Sequence, residues 1–574
     1  MKLKLALLGA SGLALVAAAT AVTAQNASQA GASITPSGGR VPTVSCETLA
    51  RTALPNAKIT SAEAVPAGRF TPPGAAGPGN AAFDAPAFCR ISATLTPSAD
   101  SDIKSEIWLP TSTWNGKFMM VGNGGWSGSI VYPAMGVALA RGYATASTDT
   151  GHEGPRAIFA LGHPEKLTDF AWRAVHETTI KSKALIEAYY GGAPRLSYWN
   201  GCSSGGKQGL KEVQKFPADF DGVIAGAPAN NWIRLQTQSL WASEANIPKG
   251  ATAPIIGDAQ AALLHKGVID SCDTLDGIKD EQVQDPRMCK FKPSSLLCKP
   301  GQNPAECLTP TQVAAADKIY APLHNSRTGE LIYPGMPPGS ELTWKPVIGR
   351  PWETGDDHYK YTVFKDPKWD FYSLDFDHDL ARAEAADVGI VATETDLSAF
   401  KARGGKIIQY HGWADPFIPT ENSINYYESV VAAQGGLDKT QEFHRLFLVP
   451  GMGHCAGAYT LDWITAMEQW REGGVAPDKV LAKRLPPPGY KPKPVVAVVQ
   501  APEFGERPVC AYPMVAHHLA GASNEEPVSF TCQVEPRGAR PGFGPAKMGA
   551  RISAAPIAAR TVKAPAKPTA TKPA

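Results

Sequence analysis

The sequence predicts an α/β architecture, a mostly parallel sheet divided by one long insertion, and three observations carry that reading. From about residue 41 to 230, short β-rich runs alternate with helical stretches. From 235 to about 395 the rhythm gives way to a segment rich in Pro, Asp, Lys and Trp that holds four cysteines and lacks strand periodicity. Beyond it, two apolar runs flanked by glycine return, "GGKIIQYHGWADPFIP" and "HRLFLVPGMGHCAG", of the kind that fill a parallel sheet covered on both faces. At 574 residues the chain exceeds what one compact core organises, so a large domain with an insertion is the expected arrangement.

The elements follow in order. Lys2 and Lys4 precede the apolar run "LALLGASGLALVAAATAV", which closes in small residues before Gln25. With Ala24 as the cleavage point, residues 1–24 read as a secretory signal peptide, and the small polar residues 25–40 as a flexible lead-in. The first part of the core spans 41–234, with strands expected in "SEIWLP", "KFMMVGNGG", "YATASTDTG", "LSYWNGCSSG" and "GVIAGAP". A helix is expected over about 168–190, stopped at Gly191, and another after the serine motif as far as Pro217. The insertion occupies 235–395, the second part of the core 396–540, and the Ala/Pro/Lys-rich stretch 541–574 reads as a disordered tail.

A formal charge of +2 gives no electrostatic case for nucleic acid or an anionic membrane as partner. No further apolar stretch of about 18 residues occurs, so no membrane span is expected. The ten cysteines of an exported chain should be oxidised. Sequence-local pairing joins Cys46 with Cys89, Cys272 with Cys289, Cys298 with Cys307, and Cys510 with Cys532, which leaves Cys202 and Cys455 as a long-range pair. Proximity in sequence does not by itself fix this connectivity.

"YWNGCSSGGKQG" places Ser203 in G-x-S-x-G spacing between an apolar run and a helix-forming stretch. Strand, sharp turn and helix is the setting of a nucleophile elbow. A serine hydroxyl needs a base, and the base needs an orienting acid. On an α/β-hydrolase sheet these follow in the order Ser, Asp, His. Asp415 in "HGWADPFIP" and His454 in "GMGHCAG" obey that order, each just past a strand. His411 is a rival base but precedes Asp415, and Asp149 in "STDTGH" is a rival acid but precedes the serine. If Ser203 and His454 meet, Cys202 and Cys455 approach as well, and a bond between them would tie the elbow to the histidine loop. A free nucleophilic Cys202 is the alternative, exposed to oxidation in that compartment. The backbone N–H of Ser204 supplies one oxyanion donor, and the glycine-rich "MMVGNGGWSGS" has the form of the loop that supplies the second, or of an ordinary tight turn.

In "CDTLDGIKDEQVQDPRMC", Asp273, Asp276 and Asp280 crowd one loop between two cysteines. Carboxylates so placed suit a Ca²⁺ ion or a solvated acidic turn, and the spacing is not that of an EF-hand. Both readings stand on chemistry alone.

With "GCSSGG", "HGWADPFIP", "GMGHCAG", "STDTGH", "DFAWRAVHE", "FDGVIAGAPA" and "CDTLDGIKDEQVQDP", the chain from about 45 to 535 resembles the tannases and the bacterial and fungal feruloyl esterases, a family that includes MHETase-like terephthalate monoester hydrolases. The resemblance implies an α/β-hydrolase core with a large inserted lid domain. It implies catalytic roles for Ser203, Asp415 and His454 over a Cys202–Cys455 disulfide, and oxyanion donors in the amides of Gly125 and Ser204. It further implies a structural Ca²⁺ in the lid, held by the carboxylates of Asp273, Asp276 and Asp280 and the carbonyls of Ile278 and Gln282, with no organic cofactor. This sequence has Glu281 where the family often has glycine. The expected activity is that of a secreted serine carboxylesterase on small aromatic acid esters, hydroxycinnamates or gallates, with Trp126 either a ring to stack on the acyl group or a core side chain. The aromatics of 344–374 are candidate cleft walls or packing within the lid. The alternatives are a terephthalate monoester hydrolase, another serine hydrolase, or a binding protein on a degenerate hydrolase fold.

Overall fold

The computed structural model describes residues 40–74, 81–485, 505–524 and 526–534; the predicted leader (1–24), the lead-in up to residue 39 and the tail (541–574) lie outside the described residues. Its central sheet has nine strands: β1 (Ala57–Val65), β2 (Phe88–Leu95), β3 (Ile103–Pro110), β4 (Lys117–Val121), β5 (Ala144–Thr148), β6 (Leu196–Cys202), β7 (Gly222–Gly226), β8 (Lys406–Gly412) and β9 (His444–Val449). They lie in the order β1-β2-β3-β5-β4-β6-β7-β8-β9. From β5 to β9 every pairing is parallel. The pairings from β1 through β2 and β3 to β5 are antiparallel. The sequence reading contained no β1 or β2. The "AKITSAEAV" of β1 is an edge strand of small and polar residues with only partial burial, so it lacks the apolar run that marks the interior strands.

Strands β4, β5 and β7 are buried along their whole length, because helices cover both faces of the sheet. On one face α2 (Ala174–Tyr190) and α3 (Ser204–Lys215) enclose a core with Trp199, Phe118 and Leu185. On the other, α1 (Tyr132–Ala140) and α8 (Trp463–Arg471) pack with Trp108, Tyr198, Ile408 and Phe447. Helix α2 stops at Gly191, whose φ of 68° is the left-handed conformation of a C-cap.

The insertion lies between β7 and β8 and is helical. It contains α4 (Trp232–Asn246), α5 (Asp258–Cys272) and α6 (Pro310–Tyr320) around Leu264, Ile319, Trp344 and Val347. A second apolar cluster, with Trp126, Phe170, Trp232, Tyr333, Tyr359 and Ile418, joins the insertion to loops at the C-terminal ends of the strands. Helix α4 runs across the sequence-derived boundary at 234/235. It is buried on nearly every side, so it shows no amphipathic period that would announce a helix there. The insertion also carries a short hairpin, Leu323–His324 with Leu331–Tyr333.

Five disulfides close the described structure: Cys46–Cys89, Cys202–Cys455, Cys272–Cys289, Cys298–Cys307 and Cys510–Cys532. No cysteine is free, so Cys202 has no thiol to act as a nucleophile. Among the described residues no helix is long and apolar enough to cross a membrane.

Candidate active site

Ser203 sits on the turn between β6 and α3 with φ 64° and ψ −122°, a left-handed backbone that a serine adopts only where its surroundings impose it. They do so through backbone hydrogen bonds: Ser203 N–H donates to Gly226 O (2.9 Å), while its carbonyl accepts from Lys207 N (3.0 Å) and Ala229 N (3.1 Å). The turn is tight enough that a Cβ at Gly201 would lie 2.7 Å from the backbone of Gly205, so only glycine fits there. The Cys202–Cys455 bond spans 253 residues with a Cα separation of 5.9 Å. It therefore fastens the serine turn to the loop that carries His454.

Asp415 follows β8 and is fully buried, while the His454 side chain after β9 is 20% exposed. His454 Nδ1 and Asp415 Oδ2 are 2.7 Å apart. The two loops are joined through Trp413 N–H to Val449 O (2.9 Å) and Ala414 N–H to Met452 O (2.9 Å). The other oxygen, Oδ1, accepts from the amides of Phe417 (2.9 Å) and Ile418 (3.1 Å). Burial pushes the Asp415 carboxyl upward, but the charge of His454 and hydrogen bonds from His411 and His454 outweigh it and hold the group well below the usual carboxylate range. The acid thus stays an anion facing the imidazole.

The loop after β4 packs against the start of α3, and side chains around it fix its shape. Gln208 Nε2 donates to Asn123 Oδ1 (2.7 Å), and Asn123 Nδ2 donates to the carbonyls of Ser127 and Thr148 (3.1 Å each). His152 Nε2 lies 2.7 Å from the carbonyl of Trp126; a carbonyl only accepts, so this nitrogen carries the proton. Burial lowers His152 to about 4, which keeps it neutral in this role. Gly125 has φ 52° and open space around it, and Ser204 begins α3. Asn123, His152 and Gln208 were absent from the sequence reading, although "STDTGH" and "GGKQG" contained two of them.

Trp126 takes the second of its two expected places, in the core. Its ring is 1% exposed, packed against Phe170 and Trp232, and its Nε1–H donates to Thr354 O (3.0 Å). It locks the lid to the core and offers no free face for stacking. The aromatic ring at the histidine is Phe417, stacked on His454 with centroids 5.0 Å apart and met edge-on by Trp352 of the lid at 5.4 Å. Both are half-buried, whereas Trp344, Tyr359 and Phe371 of the same lid region belong to its packing.

The acidic loop follows α5, clipped by Cys272–Cys289. Asp273 and Asp280 are buried, and one oxygen of each, Asp273 Oδ2 and Asp280 Oδ1, has no hydrogen-bond partner. Burial lifts the Asp276 carboxyl to about 6. Arg507 pairs with Asp280 Oδ2, and Arg484 donates to the Asp280 carbonyl (3.2 Å), so one carboxyl group of the three has an ion-pair partner among the described residues. Orphaned buried carboxylate oxygens beside the Ile278 and Gln282 backbone fit a hard divalent cation. Glu281 adopts φ 62°, the conformation that glycine takes without cost.

A buried acid with an imidazole on it, tied by a disulfide to a strained turn between strand and helix, is the setting of an α/β-type hydrolase. The sequence profile described as "Tannase and feruloyl esterase" matches residues 89–533. An uncharacterized esterase of Xanthomonas campestris pv. campestris is 37% identical over 556 residues, 88% of this chain and 93% of that protein. Feruloyl esterase C of Talaromyces stipitatus is 36% identical over 69% of this chain and 78% of its own length. The crystal structure of feruloyl esterase B from Aspergillus oryzae superposes with a TM-score of 0.78 at 33% identity, covering 85% of this chain and 99% of that one. The chain belongs to the tannase and feruloyl esterase family and is a carboxylic ester hydrolase with an α/β-hydrolase fold.

Proposed function

We propose that the protein is an exported serine esterase that cleaves small esters of aromatic acids, hydroxycinnamates or gallates, through an acyl-enzyme. The observation that carries the reading is the coupling of His454 to Asp415 on one side and, through Cys455–Cys202, to the Ser203 elbow on the other. In the first half-reaction His454 Nε2 takes the Ser203 hydroxyl proton as Oγ bonds to the ester carbonyl carbon. The resulting oxyanion is received by the amides of Ser204 and Gly125, and the C–O bond then breaks as His454 gives its proton to the departing alcohol. Water then bonds to the acyl carbon as His454 removes its proton, and the bond to Oγ breaks as His454 returns that proton to Ser203 and the acid leaves. Asp415 remains ionised throughout and orients the imidazolium.

The aromatic acyl group is supported by the names of relatives, feruloyl esterases B and C, and by Phe417 and Trp352 beside His454. Export is supported by the Lys-flanked apolar leader and by five disulfides, which persist in oxidising compartments. In the lid, Asp273, Asp276, Asp280 and the carbonyls of Ile278 and Gln282 would hold a Ca²⁺ ion, which supplies charge neutralisation and cross-links the loop rather than taking part in ester chemistry. A panel of methyl ferulate, methyl gallate, mono(hydroxyethyl) terephthalate and short acyl p-nitrophenyl esters tests the substrate class. Preference for ferulate or gallate is expected; turnover of the terephthalate ester alone would reassign the acyl group, and turnover confined to short acyl esters would sink the aromatic assignment.

A further inference from the structure

Asp415 Oδ2 is shared by two imidazoles. His454 Nδ1 lies 2.7 Å from it, and His411 Nε2, arriving from β8, lies 3.2 Å from the same oxygen. The His411 ring is fully buried and both of its nitrogens are occupied. Nε2 also lies 2.8 Å from the carbonyl of Ile418, which accepts only, so Nε2 carries the proton and divides it between that carbonyl and Asp415. Nδ1 lies 2.7 Å from the Ser423 hydroxyl. The ring is thereby set as an Nε2–H donor, held at one end by the loop it serves and at the other by α7 (Glu421–Ala433).

This arrangement controls the rotation of a carboxylate. Two amides fix Oδ1, but among the described residues the only other N–H on Oδ2 is that of His454, which must move as it takes and gives a proton. A carboxylate held on one oxygen alone can pivot about its Cβ–Cγ bond, and catalysis is sensitive to displacements well below 1 Å. A stationary donor on Oδ2 removes that freedom. We infer that His411 is a positioning residue for Asp415, a fixed second imidazole that keeps Oδ2 aimed at His454 while His454 cycles between its neutral and protonated forms. The inference rests on the catalytic reading of Ser203, Asp415 and His454 given above.

The test uses the full chain with His411→Phe, which keeps a flat ring and removes the donor, and His411→Gln, whose amide N–H reaches toward the Nε2 position. Steady-state kinetics on the best ester of the panel should show kcat lowered about 10- to 100-fold in the Phe variant with KM within about twofold, and most of the loss recovered in the Gln variant. The downfield proton resonance of the His454–Asp415 hydrogen bond should shift or broaden in the Phe variant and return in the Gln variant. An unchanged kcat and resonance in His411→Phe, or a Gln variant no better than Phe, overturns the inference. If neither variant folds, nitrogen-15 spectra of the wild type decide it: a protonated Nε2 and bare Nδ1 on His411 support it, and any other form contradicts it. A wild type without turnover on any ester overturns the esterase reading instead, and the resonance and ring tautomer then judge His411 alone.

Discussion

Asp415 and the Asp273–Asp280 loop are both buried acids, and they are satisfied in opposite ways. Every contact of Asp415 comes from this chain: two amides on one oxygen, two imidazoles on the other. The lid loop leaves Asp273 Oδ2 and Asp280 Oδ1 unpartnered, and of its two arginines Arg507 pairs with a carboxylate while Arg484 meets only the Asp280 carbonyl. Ionised oxygens out of water cost several kcal/mol unless paired, roughly 2–7 kcal/mol even for neutral polar groups. The first site is therefore complete as folded, and the second is left open in the way that the proposed Ca²⁺ would close. Asp149 stands between them. It takes two amide donors on one oxygen, from Lys104 (2.9 Å) and Gly151 (2.8 Å), yet burial still pushes its carboxyl up to about 7. Amide donors alone do not keep a buried acid ionised; Asp415 has imidazoles as well.

Breaking the complete site should have the largest effect. Asp415→Asn keeps the shape but removes the charge and reverses a donor, and kcat should fall about 10⁴-fold with the fold retained, read by steady-state kinetics beside circular dichroism. Next comes the clip that holds the site to its nucleophile. Cys202→Ala with Cys455→Ala should lower kcat about tenfold or more while KM stays within about twofold. Equal turnover in that double variant would show that the elbow and the histidine loop keep register without the disulfide.

The open site is probed with a chelator, which would remove the proposed Ca²⁺. Chelation should lower the melting temperature by roughly 5–10 °C, and added Ca²⁺ should restore it. An unchanged melting temperature at all chelator concentrations would mean that the orphaned oxygens are paired some other way. The smallest effect belongs to Asp149. Its folded value lies above its ordinary one, so the stability it contributes is complete in acid and is lost as pH rises toward 7. Asp149→Asn removes that dependence, and the wild type should lose about 1–3 °C relative to the variant between pH 4.5 and 7.5, measured by differential scanning fluorimetry.

The candidate reacting groups are legible in the sequence because each lies in a short motif at a strand end, and their chain order is itself informative. Ser203, Asp415 and His454 needed no knowledge of long-range contacts, and the count of cysteines delivered the one long-range pair. The groups around them were illegible for a common reason: the orientation of a side chain within a loop is decided by what packs against it. Trp126 lies beside the glycine-rich loop in sequence, but its ring turns toward Phe170 and Trp232, away from any cleft. His411 was set aside as a base on chain order, and nothing in a four-residue spacing reveals that it donates to the very acid that orients the base. The edge strand β1 escaped because its partial burial gives no alternation, and α4 because burial on every side gives no helical period.

The central claim is that Ser203 is the nucleophile to which Asp415, His454 and the Cys202–Cys455 clip all point. Labelling with a fluorophosphonate followed by peptide mapping tests it most directly. The account predicts one adduct, on Ser203, with no label on Ser204 or in a Ser203→Ala variant. Failure to label the wild-type protein, or equal labelling of the Ser203→Ala variant, would contradict it.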